Sequence, residues 1–320
     1  MYMLKYILKR VGLMLMTFSI IFTVCFVLIK MLPIDTTTVG VGEDADKLMA
    51  QMEARGYNKP IMEQYGLYIK RIFKGDFGIG INMPQYRGKQ VIEVFAEKLP
   101  PTILINIYSS LLAVPTGIAL GILAALKKNK WQDHVISTTV MVFISVPSFV
   151  YASLLLYIIC FKLGWFPLIM KSGFDYFTWD MFKSMLPAVF AMSFGSIAGY
   201  ARFTRAELTE VLTGEFMLLA RTKGLTKAQA TTRHALRNAM VPIFPSIVGE
   251  FISVMSGSLI IEKIFSIPGV GALYLNAINA PDYDFFMMLS GFYLLIGLAA
   301  SLVIDLSYGV IDPRIRMGAR

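Results

Sequence analysis

The sequence is poor in the residues that build most enzyme active sites and metal centres. Its 320 residues include only two cysteines and two histidines. Cys25 and Cys160 both fall inside apolar runs, which favours small apolar fillers over a disulfide or a metal site. His234 has only His134 to join it, so it has little support as a metal ligand or a catalytic base. We therefore expect no metal site in this chain.

Motifs that hold or activate a nucleotide or a nucleophile are also missing from the sequence. It contains no Gly-x-x-x-x-Gly-Lys-Ser/Thr phosphate loop and no His-Glu-x-x-His helix. It also shows no defensible Ser/His/Asp or Cys/His constellation. We predict a non-catalytic chain that binds no cofactor of its own, so any energy for its work comes from a partner or an ion gradient.

Charge is scarce, and long apolar runs take its place. Charged residues make up 16% of the chain, against about 25% in soluble proteins. A run of about 20 apolar residues can cross a bilayer as a helix. Six runs qualify: Val11–Ile29, Leu99–Leu126, Val135–Phe161, Ser184–Ala201, Val241–Ile261 and Phe285–Ile304. The predicted fold class is an all-α polytopic membrane protein with six transmembrane helices. The first run is longer than a signal peptide's apolar core and precedes no cleavage site, so we expect it to be uncleaved.

The net charge of +9 indicates topology and not nucleic-acid binding. Sixteen of the 30 lysines and arginines lie within 5–10, 127–130, 202–237 and 314–320, which fall on one side if six helices alternate. Short basic loops stay in the cytoplasm. Both termini are therefore expected in the cytoplasm of a multi-pass protein.

The chain divides into three predicted parts. Residues 1–31 hold the N-terminus and the first span, 32–98 form an extracytoplasmic segment, and 99–320 form a core that includes an inner loop at 205–241. In the second part, Gly56 and Pro60 indicate a helix stop and a helix start. An amphipathic helix is expected from Pro60 to Gly75, packed on another element.

Prolines and small residues inside the spans leave two interpretations open. Pro115 and Pro147 kink their helices either as ordinary packing irregularities or to bend them around a pathway. The small residues of spans four and five indicate either close helix packing or a wet cavity wall. They are Ser193, Gly195, Ser196 and Gly199, then Gly249, Ser253, Ser256, Gly257 and Ser258.

Glu250 is the charged residue that lies most clearly inside a predicted span. It lies eight residues past Pro242, about 12 Å along a helix. Since a carboxylate is costly in lipid, it must face water or the protein interior. Either it lines a polar pathway together with Ser193, Ser196, Ser253 and Ser256, or it is a hydrogen-bonded structural residue.

The most informative stretch is an ordered insert in the inner loop, residues 215–239. Glu215 begins a short helix after Gly214 and suits the positive end of its dipole. Arg221 and Lys223 end that helix, and Gly224 fits the left-handed position that follows.

A second helix follows in the insert. Thr226 and Gln229 form a capping box at its start. The helix is expected to run to about Ala239, with Pro242 starting the next span. Its sequence predicts a face of small residues, Ala228, Thr232, Ala235 and Ala239. Arg233 and Arg237 repel each other four residues apart, a penalty that an acidic partner would remove.

Several motifs in order resemble the permeases of binding-protein-dependent ABC importers. They are ARTKGL (220–225) and RHALRNAMVP (233–242), with NKPIMEQYGLYIKRIFKGDFGIG, KLPPTILI, IEKIFSIPGVGALYLNAINAPDYDFF and DLSYGVIDPRIR elsewhere. The generic motif has Glu-Ala-Ala where this chain has Leu218, Leu219 and Ala220. That departure is common in the dipeptide and oligopeptide branch, which the chain resembles more narrowly.

The resemblance implies a type I ABC importer fold and a set of partners. These are a second homologous permease, two cytoplasmic ATPases that use ATP and magnesium, an extracytoplasmic peptide-binding protein, and the lipid bilayer of a bacterial inner membrane. It also makes the insert the coupling element. The implied contacts with the ATPases are Glu215, Ala220, Arg221, Lys223, Gly224, Arg233, His234 and Arg237.

Alternatives remain at two levels. Within the family, the solute could be nickel, glutathione or another small molecule. Outside it, the chain could be a stand-alone secondary transporter with Glu250 as a proton or cation site, although no internal repeat supports that hypothesis. An intramembrane enzyme lacks catalytic residues.

Overall fold

The computed structural model describes residues 2–31, 43–171, 173 and 175–311. This part of the chain is helical, and its only β-type pairings are isolated bridges, Ile79 with Gln90 and Gly80 with Arg87. The all-α prediction is confirmed. The helices are α1 (Tyr2–Met31), α2 (Glu43–Ala54), α3 (Ile61–Ile72), α4 (Val91–Leu126), α5 (Trp131–Ser145), α6 (Ser148–Leu155), α7 (Trp179–Thr213), α8 (Glu215–Thr222), α9 (Lys227–Ala230), α10 (Leu236–Ser253), α11 (Leu259–Ile264), α12 (Val270–Asn279) and α13 (Tyr283–Ile311).

Among the described residues, five helical runs are long and apolar enough to cross a membrane, and a sixth span is present if one bent pair of helices is counted as a single span. The five lie in α1, α4, α7, the run Lys227–Ser256 and α13. The sixth joins α5 to α6 and its π-helical extension Leu156–Lys162 through a bend of 100°. Val146 is extended there and Pro147 precedes α6, so the helix breaks at this proline. Pro115 leaves α4 uninterrupted.

The fifth span begins earlier and ends earlier than the sequence predicts. The second helix of the insert does not stop near Ala239, because the π-helical turn Thr231–Ala235 passes directly into α10. Pro242 therefore lies inside a helix, where a proline removes one backbone hydrogen bond without ending a long, packed element. At the other end, Gly257 has a φ of +64° and the helix stops short of the predicted Ile261.

The helices group into two compact units, Met1–Thr102 with Pro268–Ala299, and Ile103–Ile267 with Ala300–Arg320. Each unit combines chain segments that are distant in sequence. The linear division into 1–31, 32–98 and 99–320 stays a prediction.

In the first unit, α3 packs on α1 through aromatic rings. Phe26 on α1 lies 5.1 Å from the ring of Tyr65 and 5.8 Å from that of Tyr68. Gly56, with φ +81°, and Pro60 separate α2 from α3 as predicted. The partner of the amphipathic helix is thus the first span.

A buried carboxylate holds another part of this unit together. Asp282 Oδ2 accepts hydrogen bonds from the backbone N–H groups of Ile81 (2.7 Å), Asn82 (2.8 Å) and Met83 (3.2 Å). Burial raises the pKa of Asp282 to about 6, although these three N–H donors act in the opposite direction. This aspartate ties the segment after Gly80 to the start of α13, a role that nothing in the local sequence predicts.

In the second unit, α5, α6 and α10 pack on α7. The helices α4 and α7 approach each other closely at Gly121. A Cβ atom added at Gly121 would lie 2.6 Å from Thr204 Cβ and 2.7 Å from the Ala201 carbonyl oxygen. Nothing lies within 4 Å of such an atom at Gly199 on α7, so close packing does not explain that glycine.

Candidate functional site

The insert joins α7 through a single residue. Gly214 ends α7 and precedes α8 with φ −70° and ψ 148°, an extended conformation that redirects the chain. Glu215 follows in the first turn of α8 and Arg221 lies in its last turn, so both charges suit the helix dipole as predicted.

Gly224 forms the predicted joint between the two helices of the insert. It has a φ of +90°, and its N–H donates to the Arg221 carbonyl at 3.0 Å. The N–H of Leu225 donates to the Ala220 carbonyl at 3.3 Å. These two bonds make a Schellman motif, in which the left-handed residue is usually glycine and sometimes asparagine.

The second helix starts with the predicted capping box. Thr226 N–H donates to Gln229 Oε1 at 3.0 Å, and Gln229 N–H donates to Thr226 Oγ1 at 3.3 Å. Both ends of the joint are therefore satisfied by local hydrogen bonds. The insert is an ordered element even where its side chains face solvent.

Small side chains pack the inner side of the insert, but the predicted small face is only half right. Ala235 and Ala239 are buried, whereas Ala228 and Thr232 are exposed. Ala230 and Thr231 take their place on the buried side, because the π-helical turn Thr231–Ala235 widens the helix and shifts the register. The cluster around them is Ala125, Leu208, Met217, Ala220, Ala230, Ala235 and Ala239.

The outer side of the insert combines apolar and basic residues. Phe216, Leu218 and Leu219 are 41%, 67% and 56% exposed. The remaining exposed residues include all but one of the predicted contacts: Glu215, Arg221, Lys223, Gly224, Arg233, His234 and Arg237. We call this surface the exposed face of the insert.

Ala220 departs from the predicted set of contacts. Its side chain is only 7% exposed and packs in the inner cluster. As position C3 of the Schellman motif, it receives the Leu225 N–H bond and lies under the joint. The structure therefore gives Ala220 a place in the interior of the insert and not on its outer surface.

The structure joins two of the residues predicted for the polar pathway. Ser196 Oγ on α7 donates to Glu250 Oε1 on α10 at 3.0 Å, and both residues are half-buried. One turn further along α7, the Tyr200 hydroxyl donates to the Ser246 carbonyl at 3.1 Å. This contact matches the hydrogen-bonded alternative for Glu250 and leaves part of its surface open.

The other serines of that set lie elsewhere. Ser193 is fully buried, and its hydroxyl lies 3.1 Å from that of Ser109 on α4. This is a packing contact between α4 and α7, so Ser193 has no open surface. Ser253 is exposed at the end of α10, and Ser256 is half-buried in the following 3-10 turn.

Sequence reasoning missed the ion pair that anchors α5. Arg205 donates to Asp133 through Nε (2.5 Å) and Nη2 (2.8 Å), and Asp133 is 2% exposed. The N–H of Asn129, which has a φ of +62°, also donates to Asp133 at 2.9 Å. An acidic residue in the first turn of α5 was a visible capping signal, but its partner lies 72 residues away.

No group of three histidine, cysteine, aspartate or glutamate side chains could hold a metal ion in the part of the chain that the structure describes. Cys25 is half-buried in α1, and Cys160 is buried in the extension of α6.

Comparison with known proteins gives full-length relatives. Residues 117–317 match the family described as binding-protein-dependent transport system inner membrane component, and residues 3–105 match its N-terminal family. The chain is 35% identical over 315 residues to a dipeptide transport system permease of Lactococcus lactis subsp. cremoris, covering 98% of this chain and 100% of that one. It is 32% identical over 317 residues to an oligopeptide transport system permease of Haemophilus influenzae, covering 98% and 100%.

A glutathione transport system permease of Escherichia coli is 31% identical over 316 residues, covering 98% of this chain and 99% of that one. Two solved structures share the fold. An amino acid ABC transporter has a TM-score of 0.50 at 20% identity, covering 68% of this chain and 94% of that one. An inward-facing methionine ABC transporter has a TM-score of 0.51 at 15% identity, covering 68% and 97%.

Proposed function

The chain belongs to the family of binding-protein-dependent transport system inner membrane components, and we propose from this premise that it is the permease subunit of an ATP-driven importer of peptides. It forms half of the translocation path, and a second homologous permease forms the other half. Two cytoplasmic ATPases hydrolyse ATP with magnesium, and an extracytoplasmic binding protein delivers the solute. Both termini lie in the cytoplasm of a bacterial cell.

The observation that carries this proposal is the exposed face of the insert. Phe216, Leu218 and Leu219 leave a large apolar area in water beside four exposed cations, Arg221, Lys223, Arg233 and Arg237. Burying apolar surface contributes about 25 cal/mol per Å², and such a patch on an ordered element is typical of a protein interface. A cleft with an apolar floor and an acidic rim on each ATPase is the complementary partner.

The connections of the insert support a role in coupling. It meets α7 through Gly214 and continues into α10 without a break through the π-helical turn. A displacement of the docked insert is therefore transmitted to α7 and α10 together. These two helices also carry Ser196 and Glu250, the hydrogen-bonded pair proposed for the polar pathway.

The coupling role is tested by purifying the whole transporter with and without Leu218→Ser and Leu219→Ser. We expect at least tenfold less ATPase subunit to co-purify with the double variant than with the native chain, because both leucine side chains would be buried at the contact. The matched control is Leu163→Ser with Leu168→Ser, which changes two leucines that are 48% and 46% exposed outside the insert. Equal ATPase retention by the two double variants would contradict the proposal.

The substrate is tested on the delivery protein. Mass spectrometry of ligand extracted from the native binding protein, followed by uptake of that ligand in cells with the intact transporter, should identify a di- or oligopeptide. The relatives named for glutathione transport make glutathione the nearest alternative. Recovery of nickel or a non-peptide solute would overturn the peptide assignment but not the role as a permease.

The alternative that this chain is a stand-alone secondary transporter is tested by reconstitution into liposomes. Proteoliposomes that contain this chain without ATPases should show no solute uptake driven by a proton or sodium gradient. Gradient-driven uptake that Glu250→Gln abolishes would favour the secondary transporter instead.

A further inference from the structure

A second basic surface adjoins the exposed face of the insert and shares Leu218 and Arg221 with it. A groove of about 640 Å³ runs between the turn that joins α4 to α5 and the insert. Four exposed cations line it, Lys128 and Lys130 from the turn and Arg221 and Lys227 from the insert. None of the described lining residues is acidic, and Glu215 is not among them. We call this surface the basic groove, and its charge fits an anionic ligand.

The wall formed by the α4–α5 turn is held in place from inside the protein. Asp133 accepts the N–H of Asn129 and the two bonds from Arg205, so the turn is fixed to α7. Asn129 takes the left-handed conformation between Lys128 and Lys130. Because the backbone of the turn is fixed, both lysine side chains start from set positions at the edge of the groove. The opposite wall is fixed by the Schellman joint and the capping box of the insert.

The depth of the groove in the membrane follows from the residues around the turn. Leu123 and Leu126, near the end of α4, are each 42% exposed. Trp131 and Val135, at the start of α5, are 71% and 55% exposed. Exposed apolar residues on both sides of a lysine turn face lipid, and tryptophan is enriched at the interface with the headgroups. The lysines between them therefore stand at headgroup level, with their stems along apolar surface.

The positive charge of the basic groove and its position at the level of the lipid headgroups together indicate the kind of ligand. We propose that the basic groove binds the phosphate headgroup of an anionic phospholipid, with an acyl chain lying along Leu123 and Leu126 of α4. Basic pockets beside transmembrane helices suit such headgroups, and each cation near the membrane surface strengthens the attraction to anionic lipid. An acidic protein segment would also satisfy the charge, but a groove at headgroup level borders lipid directly. The bound lipid connects the α4–α5 turn to the insert through Lys227, which is not among the predicted ATPase contacts, so anionic lipid would stiffen the insert.

The test measures lipid retention by native mass spectrometry on the full chain in neutral detergent. The added probes are phosphatidylglycerol and phosphatidylcholine with identical acyl chains. We expect Lys128→Gln with Lys130→Gln to weaken phosphatidylglycerol retention about tenfold or more and to leave phosphatidylcholine unchanged. Both lysines are exposed, so the melting temperature should not move.

The control is Lys127→Gln with Lys223→Gln, which removes the same charge from two lysines that do not line the groove. It should keep phosphatidylglycerol retention within about twofold of the native chain. The proposal fails if both double variants lose lipid equally, or if neither does. It also fails if excess inorganic phosphate or the ATPase subunits displace the lipid, since the groove would then serve free phosphate or the ATPase contact. The measurement uses no transport, so its failure leaves the proposed function standing.

Discussion

Gly224 shows how one residue can set the geometry of the insert. Its φ of +90° is accessible to glycine and, at a small cost, to asparagine. A Cβ atom at this position would meet nothing within 4 Å. The requirement for glycine is thus a matter of backbone conformation and not of space.

Gly224→Val is expected to abolish transport-coupled ATP hydrolysis while the chain stays in the membrane. A β-branched residue is strained at positive φ, and the Schellman bonds from Gly224 and Leu225 would break. The measurement is solute-stimulated ATPase activity of the reconstituted transporter. Gly224→Asn is the matched control, and it should keep most of the coupling. Coupling at the native level in Gly224→Val would show that the insert does not transmit the movement.

Asp282 shows a residue whose role depends on distant backbone. Burial raises its pKa to about 6, above the ordinary value of 3.8, so the fold favours the protonated carboxyl. The native state therefore binds more protons than the unfolded chain between these two values. Its contribution to stability is present below pH 3.8 and is lost as the pH rises to about 6.

Asp282→Asn should remove this pH dependence, because the amide oxygen can still accept backbone N–H bonds and carries no charge. Between about pH 4 and pH 6, the native chain should lose on the order of 2 kcal/mol relative to the variant. Melting temperatures of the two purified proteins across that range measure the difference. Asp282→Ala should be destabilised at every pH, since three buried N–H groups lose their acceptor. Parallel pH profiles for the native chain and Asp282→Asn would contradict this account.

At the scale of the helices, two glycines inside transmembrane helices differ in whether close packing requires them. Gly121 on α4 allows the backbone of α7 to approach, whereas Gly199 on α7 is exposed with open space around it. The sequence alone singled out the small residues of α7. The glycine that the contact between α4 and α7 requires is Gly121, which lies on α4.

Gly121→Ala is expected to destabilise the protein by about 1–3 kcal/mol, because the new methyl group would overlap Thr204 and the Ala201 carbonyl. Gly199→Ala should be neutral or slightly stabilising, since it only restricts the unfolded chain. Thermal unfolding in detergent compares the two variants. Equal destabilisation by both would show that the loss comes from helix flexibility and not from the contact.

The helices also show which breaks a sequence can indicate. Gly214, Gly224, Thr226 and Gln229 act locally, through φ, ψ and hydrogen bonds across a few residues, and their prediction is confirmed. Pro147 and Pro242 look alike in sequence, yet α5 ends before the first and α10 passes through the second. The outcome depends on whether neighbouring helices hold the chain straight, and that information lies elsewhere in the sequence.

At the scale of the whole molecule, the distribution of cations predicts the orientation in the membrane. The insert and the α4–α5 turn share the basic side, and the segment from Gly56 to Gly80 lies on the other side under the proposed topology. Neither Cys25 nor Cys160 forms a disulfide, so changing both to alanine removes no covalent link and gives a cysteine-free background for labelling.

In that cysteine-free background, Lys59→Cys should react with a membrane-impermeant maleimide added to intact cells. Lys223→Cys, expressed without the ATPase subunits so that the insert is uncovered, should react only after the cytoplasmic membrane is permeabilised. Both positions are exposed, so accessibility to the reagent decides the result. The reverse labelling pattern would invert the topology and rule out an ATPase docked on the insert from the cytoplasm.

The sequence by itself determined the membrane class, the approximate places of the spans, and the caps and the glycine joint of the insert. Apolar length, positive charge and helix capping act over a few neighbouring residues, so a linear pattern is enough to express them. Only the tertiary structure decided that Ala220 faces inward, that Ser196 meets Glu250 while Ser193 meets Ser109, and that Asp133 pairs with Arg205. It also decided that two basic segments form one groove. These contacts join residues that are far apart in the chain, and only helix packing sets which side chains meet.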